Sequence, residues 1–380
     1  LTVFPWRLED AAPVDKAHPY YPDPPAPPPD TVPTIGARVD PARLPGPDEA
    51  KALLRGMLLS RRVERRIVEL YRQGQISGGC YTGIGNEATS VGSAFAMVEG
   101  DVLVPTQRDM GSHLVRGHSA LDVMRQYLKR GTSQTGGKDG GLHLGLEGTD
   151  VVGMISHLGH MMPVAVGVAM AERMKGRTAA VLTTIGDGAT SLGDFHEALN
   201  FAAVHKAPVV FLIVNNQYAY STPITLQYAC ERLADRGVGY GMPGHRLDGT
   251  DVVEVVNATR DAFERARRGE GPTLLECLTM RMRGHSEHDD FKYVPQPLLQ
   301  RWEAWDPLVR FEAWATGTGR LTAEVIQGLH REVDAEVEAA IEAASREPEP
   351  DPATASEGVF RYWDPAWTVP DGVELEVGRG

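Results

Sequence analysis

The sequence predicts an α/β fold, a parallel sheet with helices on both faces, preceded by an extended proline-rich arm and followed by C-terminal helices. Three observations predict it. Between Gly74 and about residue 285, short β-branched runs alternate with helical stretches and glycine-rich loops, the pattern of a parallel sheet. The first 47 residues hold 13 of the 27 prolines, a density that forbids helix and starves a sheet of donors. Residues 321–350 form a charged segment with apolar residues at helical spacing. The implied divisions are an arm over 1–47, a main domain with its C-terminal helices over 48–345, and a tail over 346–380.

The composition bounds the chemistry. A chain of 380 residues with 42% hydrophobic content can bury one large α/β core or two moderate ones. With 51 acidic against 38 basic residues, the formal charge of −13 speaks against a surface that reads phosphate backbones, so nucleic acid is not expected as a partner. Cys80, Cys230 and Cys277 are scattered without metal-ligand spacing, which suggests neither a disulfide framework nor a zinc site and fits a reducing cytoplasm. Apolar runs such as "PVVFLIV" are too short to cross a bilayer, and no basic segment followed by an apolar one opens the chain. A cytoplasmic protein without membrane contact is expected.

Taken in order, the arm, with "YYPDPPAPPPD", reads as a disordered or surface-wrapped tail, or as a segment that grips a partner subunit. Asp48 can then cap a helix whose Leu53, Met57, Val63, Ile67 and Leu70 recur at roughly helical spacing and which ends near Gly74. Strands are predicted at "DVLVP", "TAAVLTTI", "APVVFLIV" and "PTLLECLTM". Helices are predicted at "SALDVMRQYLKRG", "MMPVAVGVAMAERMKG", "TSLGDFHEALNFAAVHK" and "DVVEVVNATRDAFERARRG". No internal repeat is present.

The stretch "TTIGDGATSLGDF" concentrates the chemistry. It runs a strand into Asp187, fenced by Gly186 and Gly188, and then into a helix and the strand "APVVFLIV" followed by "NNQY". A right-handed β-α-β crossover lays both strands parallel, so their carboxyl ends open on one edge of the sheet, where ligands bind. Asp187 and Asn216 are thereby brought together, and a bend after Asn216 could turn the Tyr218 carbonyl inward. One carboxylate, one amide oxygen and one carbonyl make half an octahedron, the donor set of Mg²⁺, which takes its other ligands from water and phosphates. The glycines let backbone approach phosphate, and the helix start after Ala189 offers free N–H groups to an anion. An isolated Asp-Gly after a strand is usually only a turn. The whole pattern, with about thirty residues between acid and amide, resembles the thiamine diphosphate motif.

On "GDGATSLGDFHEALNFAAVHKAPVVFLIVNNQYAYSTP", together with "GGCYTGIGNEATSVGSA", "GVGYGMPGHRLDGTDV" and "RRGEGPTLLECLTMRMRGHSEHDD" in that order, residues 48–345 resemble the alpha subunit of the E1 component of 2-oxo acid dehydrogenase complexes, of the pyruvate and branched-chain type. The resemblance implies a thiamine diphosphate-binding fold in which Asp187, Asn216 and the Tyr218 carbonyl hold Mg²⁺, and Gly186, Gly188 and Ala189 line the cofactor. It implies that Arg108, Arg281 and the neighbouring Gln107 lie on the diphosphate side. Ser156 and Leu158 would meet the aminopyrimidine, and His285 would be the active-site loop histidine beside the catalytic-loop Ser286, which stands where mitochondrial relatives are phosphorylated. Gln107 replaces the family's tyrosine, and His160 and Met161 replace the threonine and glutamine of the branched-chain potassium site.

The implied reaction is decarboxylation of a 2-oxo acid and transfer of the acyl group to the lipoyl group of E2. The family's activating glutamate sits on a second, pyrimidine-binding domain for which this chain has no room, so a beta subunit in an α2β2 heterotetramer is implied. An acetoin dehydrogenase subunit and a noncatalytic scaffolding subunit are the alternatives. The segment "GTSQTGGKDGG" is not a P-loop, since Gly137 intrudes before Lys138 and Asp139 replaces the magnesium-binding hydroxyl, so it reads as a mobile loop. No G-x-G-x-x-G follows the first strand, which excludes a nicotinamide-binding unit.

Overall fold

The computed structural model describes residues 24–145 and 148–357. Five strands, β1 (Val102–Val104), β2 (Val181–Gly186), β3 (Val209–Asn215), β6 (Gly244–Asp248) and β7 (Thr273–Leu278), form one sheet in the order β1-β2-β3-β7-β6. Every pairing is parallel. A two-stranded antiparallel hairpin, β4 (Tyr218–Ala219) and β5 (Thr222–Pro223), stands beyond the end of β3. The four strands expected from the sequence are all present. β6 escaped the sequence reading because its residues, Gly-His-Arg-Leu-Asp, carry no run of β-branched side chains on an edge strand.

Alternation along β3 divides the core. Val209, Phe211 and Ile213 face α5 (Met161–Met174) and α6 (Gly193–Val204), while Val210, Leu212 and Val214 face α2 (Glu87–Phe95) and α8 (Val252–Arg267). Outside α2 lies a further helical layer. There α1 (Pro47–Arg72) packs on α3 (Met110–Val115), α4 (Ala120–Tyr127), α10 (Pro307–Gly317) and α11 (Ala323–Ser345). The short α7 (Arg236–Gly239) abuts β6, and α9 (Gln296–Glu303) closes an aromatic cluster around Trp302 and Trp305. Among the described residues no helix is long and apolar enough to cross a membrane.

Two helix starts differ from expectation. α1 begins at Pro47, whose fixed φ and missing N–H suit the first helical position, so Gly46 is the cap and Asp48 lies inside the first turn, where its charge opposes the positive helix end. After β2 the chain makes a 3-10 turn over Asp187–Ser191 before α6 starts at Gly193, so the helix opens later than "TSLG" suggested. The described part of the arm, residues 24–47, lies on this chain's own surface. Gly36 N–H donates to Asp251 at 2.6 Å, and Arg310 and Arg301 donate to the carbonyls of Pro33 and Pro28. The earlier arm residues and the end of the tail lie outside the described residues.

A buried ion cluster joins the helical layer to the sheet. Arg61 of α1 grips both carboxylate oxygens of Glu87 in α2 and donates to Asp306 at the start of α10 at 2.9 Å. Glu87 also accepts from the Gly85 N–H at 3.0 Å. Removing one member strands a buried charge, which costs roughly 3–5 kcal/mol. Arg61→Ala is expected to lower unfolding stability by about that amount in urea titration, and Arg61→Met, which keeps the packing volume, by a similar amount because Glu87 is again left unpaired. A change under about 1 kcal/mol would show that the cluster does not hold the layers together.

Candidate active site

The site is built on the parallel register of β2 and β3, which pairs Gly186 with Val214 and so ends the two strands flush. Asp187 follows Gly186 directly and is 1% exposed. After Asn215 the chain must turn sharply, and it does so at Gln217, with φ of 72°, in the left-handed region that side chains ordinarily avoid. The bend is held in place by the Gln217 amide, which donates to the Thr279 carbonyl at 2.8 Å. It swings the Tyr218 carbonyl back toward the strand ends, as the sequence suggested.

The end of the Asn216 amide consequently lies 3.2 Å from the Tyr218 carbonyl and 3.3 Å from Asp187 Oδ1. With its nitrogen inward the amide donates to both; with its oxygen inward, three oxygens face one another with no proton between them. Ligands at right angles around a cation with ~2.1 Å bonds are ~3.0 Å apart, close to these spacings. The second Asp187 oxygen is buried without a hydrogen-bond partner, and burial pushes this carboxyl up to about 6. Such an arrangement suits a small hard cation.

Above these oxygens opens a cavity of about 400 Å³, lined by Gln107, Arg108, Leu158, Gly186, Gly188, Ala189, Asn216, Tyr218, Arg281 and His285. Ten of the sequence-derived site residues therefore share one wall. A Cβ on Gly186 would meet no protein atom within 4 Å and would project into free space, whereas one on Gly188 would lie 2.3 Å from the Ala219 methyl carbon. Glycine is required at 188 by close approach.

Two arginines face this cavity. Arg281 follows β7 and is 1% exposed, donating to the Tyr220 carbonyl at 2.8 Å and the Tyr293 hydroxyl at 2.7 Å. Arg108 donates to the His285 carbonyl, and its Nη2 is 3.3 Å from His285 Nδ1. Burial pulls both guanidinium groups below their ordinary value, and for Arg108, held at about 10, the charge of Arg281 adds to the effect. The same two cations, after burial, bring His285 down to about 4, so this imidazole is neutral at physiological pH.

The remaining candidates fall elsewhere. Ser156 lines an adjoining cavity of about 430 Å³ that shares Gln107, Leu158 and His285 with the first. Ser286 is buried, with its hydroxyl bonded to His288 at 2.9 Å, and lines neither cavity. His160, in place of a potassium ligand, bonds Asp194 of α6 at 2.7 Å and ties down the loop bearing Ser156 and Leu158.

Sequence reasoning missed the supports. Asp109 fixes the turn before α3 by accepting from Thr106 N–H at 2.6 Å, its hydroxyl at 2.8 Å and Thr184 of β2. The Thr-x-x-Asp spacing in "TQRD" was the available signal. Glu64 of α1 accepts from Gly83 N–H at 2.6 Å and so shapes the loop against which the Arg108 carbonyl rests. Burial holds the Glu64 carboxyl well above the usual carboxylate range. Only its helical position is visible in sequence.

Residues 55–353 match the model of the family described as "Dehydrogenase E1 component". The chain is 40% identical over 317 residues to 2-oxoisovalerate dehydrogenase subunit alpha of Bacillus subtilis, covering 82% of this chain and 95% of that protein. It is 36% identical over 305 residues to the pyruvate dehydrogenase E1 component subunit alpha of Rhizobium meliloti, covering 80% and 87%. It is 35% identical over 322 residues to the alpha subunit of an acetoin:2,6-dichlorophenolindophenol oxidoreductase of Cupriavidus necator, covering 84% and 96%. With a match over most of its length and a wall of site residues at the carboxyl edge of its sheet, the chain belongs to the dehydrogenase E1 component family.

Proposed function

We propose that this chain is the alpha subunit of a thiamine diphosphate-dependent 2-oxo acid dehydrogenase, acting on a branched-chain 2-oxo acid or pyruvate and passing the acyl group to the lipoyl group of an E2 partner. The observation that carries the reading is the meeting of Asp187, the Asn216 amide and the Tyr218 carbonyl beside a cavity lined by the buried Arg281 and the half-buried Arg108. In this reading those three oxygens hold Mg²⁺, and Arg108 and Arg281 neutralise the diphosphate. The unpartnered Asp187 oxygen, and the space a Cβ on Gly186 would fill, support the fit. Thiamine diphosphate, when bound, supplies the electron sink for decarboxylation.

The chain's own groups bind, orient and handle protons. Leu158 and the loop around it form the apolar side of the cavity. His285, kept neutral by the arginines, can accept a proton at Nδ1 or Nε2, while Tyr81 and Tyr220 hold its ring edge-on at 5.5 Å and tilted at 4.5 Å.

A beta subunit completes the site. The described chain has one five-stranded parallel sheet, and α5 and α6 leave Val164, Met174, Phe201 and Val204 exposed, apolar surface that supports burial against a partner. The 2-oxo acid reading is favoured over acetoin by the higher identity of the 2-oxoisovalerate relative.

Dye reduction by the complex of this chain with its native partner, given thiamine diphosphate and Mg²⁺, tests the reading. Turnover of pyruvate or 3-methyl-2-oxobutanoate is expected, and turnover of acetoin alone would overturn it. Asp187→Asn is expected to abolish Mg²⁺-dependent cofactor binding in calorimetry, yet to stabilise the cofactor-free chain by about 1–2 kcal/mol, because an unpaired buried carboxylate is removed. Unchanged cofactor affinity would refute the metal assignment. His285→Ala should slow overall turnover roughly 10²–10⁴-fold; wild-type rates in the assembled complex would exclude proton transfer at this residue.

A further inference from the structure

Beside the diphosphate-side cavity, three side chains form a hydrogen-bonded chain that the reading above does not use. His143 stands just after the glycine-rich segment 131–141. Its Nδ1 lies 3.2 Å from Asp139 Oδ1 and its Nε2 lies 3.0 Å from Ser156 Oγ. All three line the second cavity, which His285 also lines.

The loop that supplies Asp139 and His143 is held down, contrary to the mobile loop expected. Gly131 N–H donates to the Pro348 carbonyl at 2.9 Å, Lys138 donates to the Glu357 carbonyl, and Glu347 receives Arg125 and Thr132. A Cβ on Gly137 would strike Pro350 at 2.7 Å. The segment after α11 therefore fixes the backbone from which Asp139 reaches its histidine.

The two histidines on this cavity have opposite surroundings. His285 is pressed by Arg108 and Arg281 and is neutral at physiological pH, so it accepts protons. His143 has a carboxylate on one nitrogen and a hydroxyl on the other. The other groups facing the cavity are Lys129 and Tyr127 from the end of α4, Tyr81, and His285 itself. Lys129 is turned onto Ser77, its Nζ 3.1 Å from that hydroxyl. Asp139 is thus the carboxylate that holds the His143 ring.

We propose, building on the 2-oxo acid reading, that Asp139, His143 and Ser156 form a second proton-handling arm of the site: His143 delivers a proton through Ser156 to the oxo oxygen of the substrate, and Asp139 is its positioning residue. With a carbon nucleophile supplied by bound cofactor, addition to the oxo carbon would break its C=O π bond toward oxygen. That oxygen takes the Ser156 hydroxyl proton, Ser156 Oγ takes the Nε2 proton of a protonated His143, and the imidazole is left neutral with its proton on Nδ1, still donated to Asp139. Charge and protons balance, because the imidazolium's positive charge cancels the negative charge arriving on the oxygen. His285, which lines the same cavity, serves as the acceptor in later proton transfers.

Asp139 holds the His143 ring by accepting from its Nδ1–H, and removing that acceptor frees the ring to turn away from Ser156. Asp139→Ala is expected to reduce kcat roughly 10-fold with KM little changed, and Asp139→Asn, which keeps an acceptor oxygen for Nδ1–H, to restore most of that loss. His143→Gln and Ser156→Ala should each reduce kcat roughly 10²-fold, and His143→Gln should leave the calorimetric affinity for thiamine diphosphate as in the wild type. A wild-type kcat in Asp139→Ala, or an Asp139→Asn no faster than Asp139→Ala, overturns the positioning role, and a wild-type kcat in both His143→Gln and Ser156→Ala overturns the proton path, in each case with the 2-oxo acid reading intact. Absence of 2-oxo acid turnover by a wild-type complex that binds the cofactor overturns that reading, and this proposal with it.

Discussion

The flush ending of β2 and β3 is the constraint on which the rest depends. Because Gly186 pairs with Val214, the next residue of one strand and the next two of the other emerge at the same height, and their polar ends have nowhere to go but toward each other. A slip of two residues in this register would keep every apolar side chain facing its own layer, yet it would separate Asp187 from Asn216 by nearly 7 Å. Core packing alone therefore does not specify the site. The positive φ at Gln217, the Gln217 bond to Thr279 and the continuation of pairing by Thr279 N–H to the Asn215 carbonyl lock the third strand, β7, to the same height.

Electrostatically the cavity is unbalanced in both directions at once. On one side a carboxylate with one oxygen unpartnered is buried so thoroughly that it is pushed up to about 6; the buried Arg281 and half-buried Arg108 beside the same cavity have only carbonyl, hydroxyl and imidazole partners. Burying one charge near the other reduces neither cost fully. A ligand carrying both a cation and a multiply charged anion would satisfy the two halves together, and its binding would be cooperative in the two components. The chain gives up stability at this edge and recovers it elsewhere, in the apolar layers on the two faces of the sheet and in the Arg61 cluster.

How much of this was legible in sequence depended on how local the cause was. Four of the five strands announced themselves as β-branched runs, and Asp187, Asn216 and the bend before Tyr218 could be placed because a β-α-β unit fixes its own geometry within forty residues. β6 was hidden because an edge strand of mixed polarity has no periodic signature. The start of α1 was misread because Asp48 and Pro47 are adjacent candidates and proline's fixed φ won. Supports such as Glu64 and Asp139 act across contacts that sequence spacing does not encode, the first from a helix onto a loop, the second through a loop pinned by residues more than two hundred positions away.

That pinning has a consequence for how the molecule comes to be made. The clasp of Arg125 and Thr132 on Glu347 closes a loop of 222 residues, and it outweighs the nearer contact of Arg125 with Asp122 at 3.6 Å. During vectorial synthesis the parallel sheet can assemble once β7 has left the ribosome, while the glycine-rich loop beside the site must wait for α11 and the turn after it. The order is built into the distance along the chain: the scaffold is complete first, and the wall that carries His143 is the last piece to set.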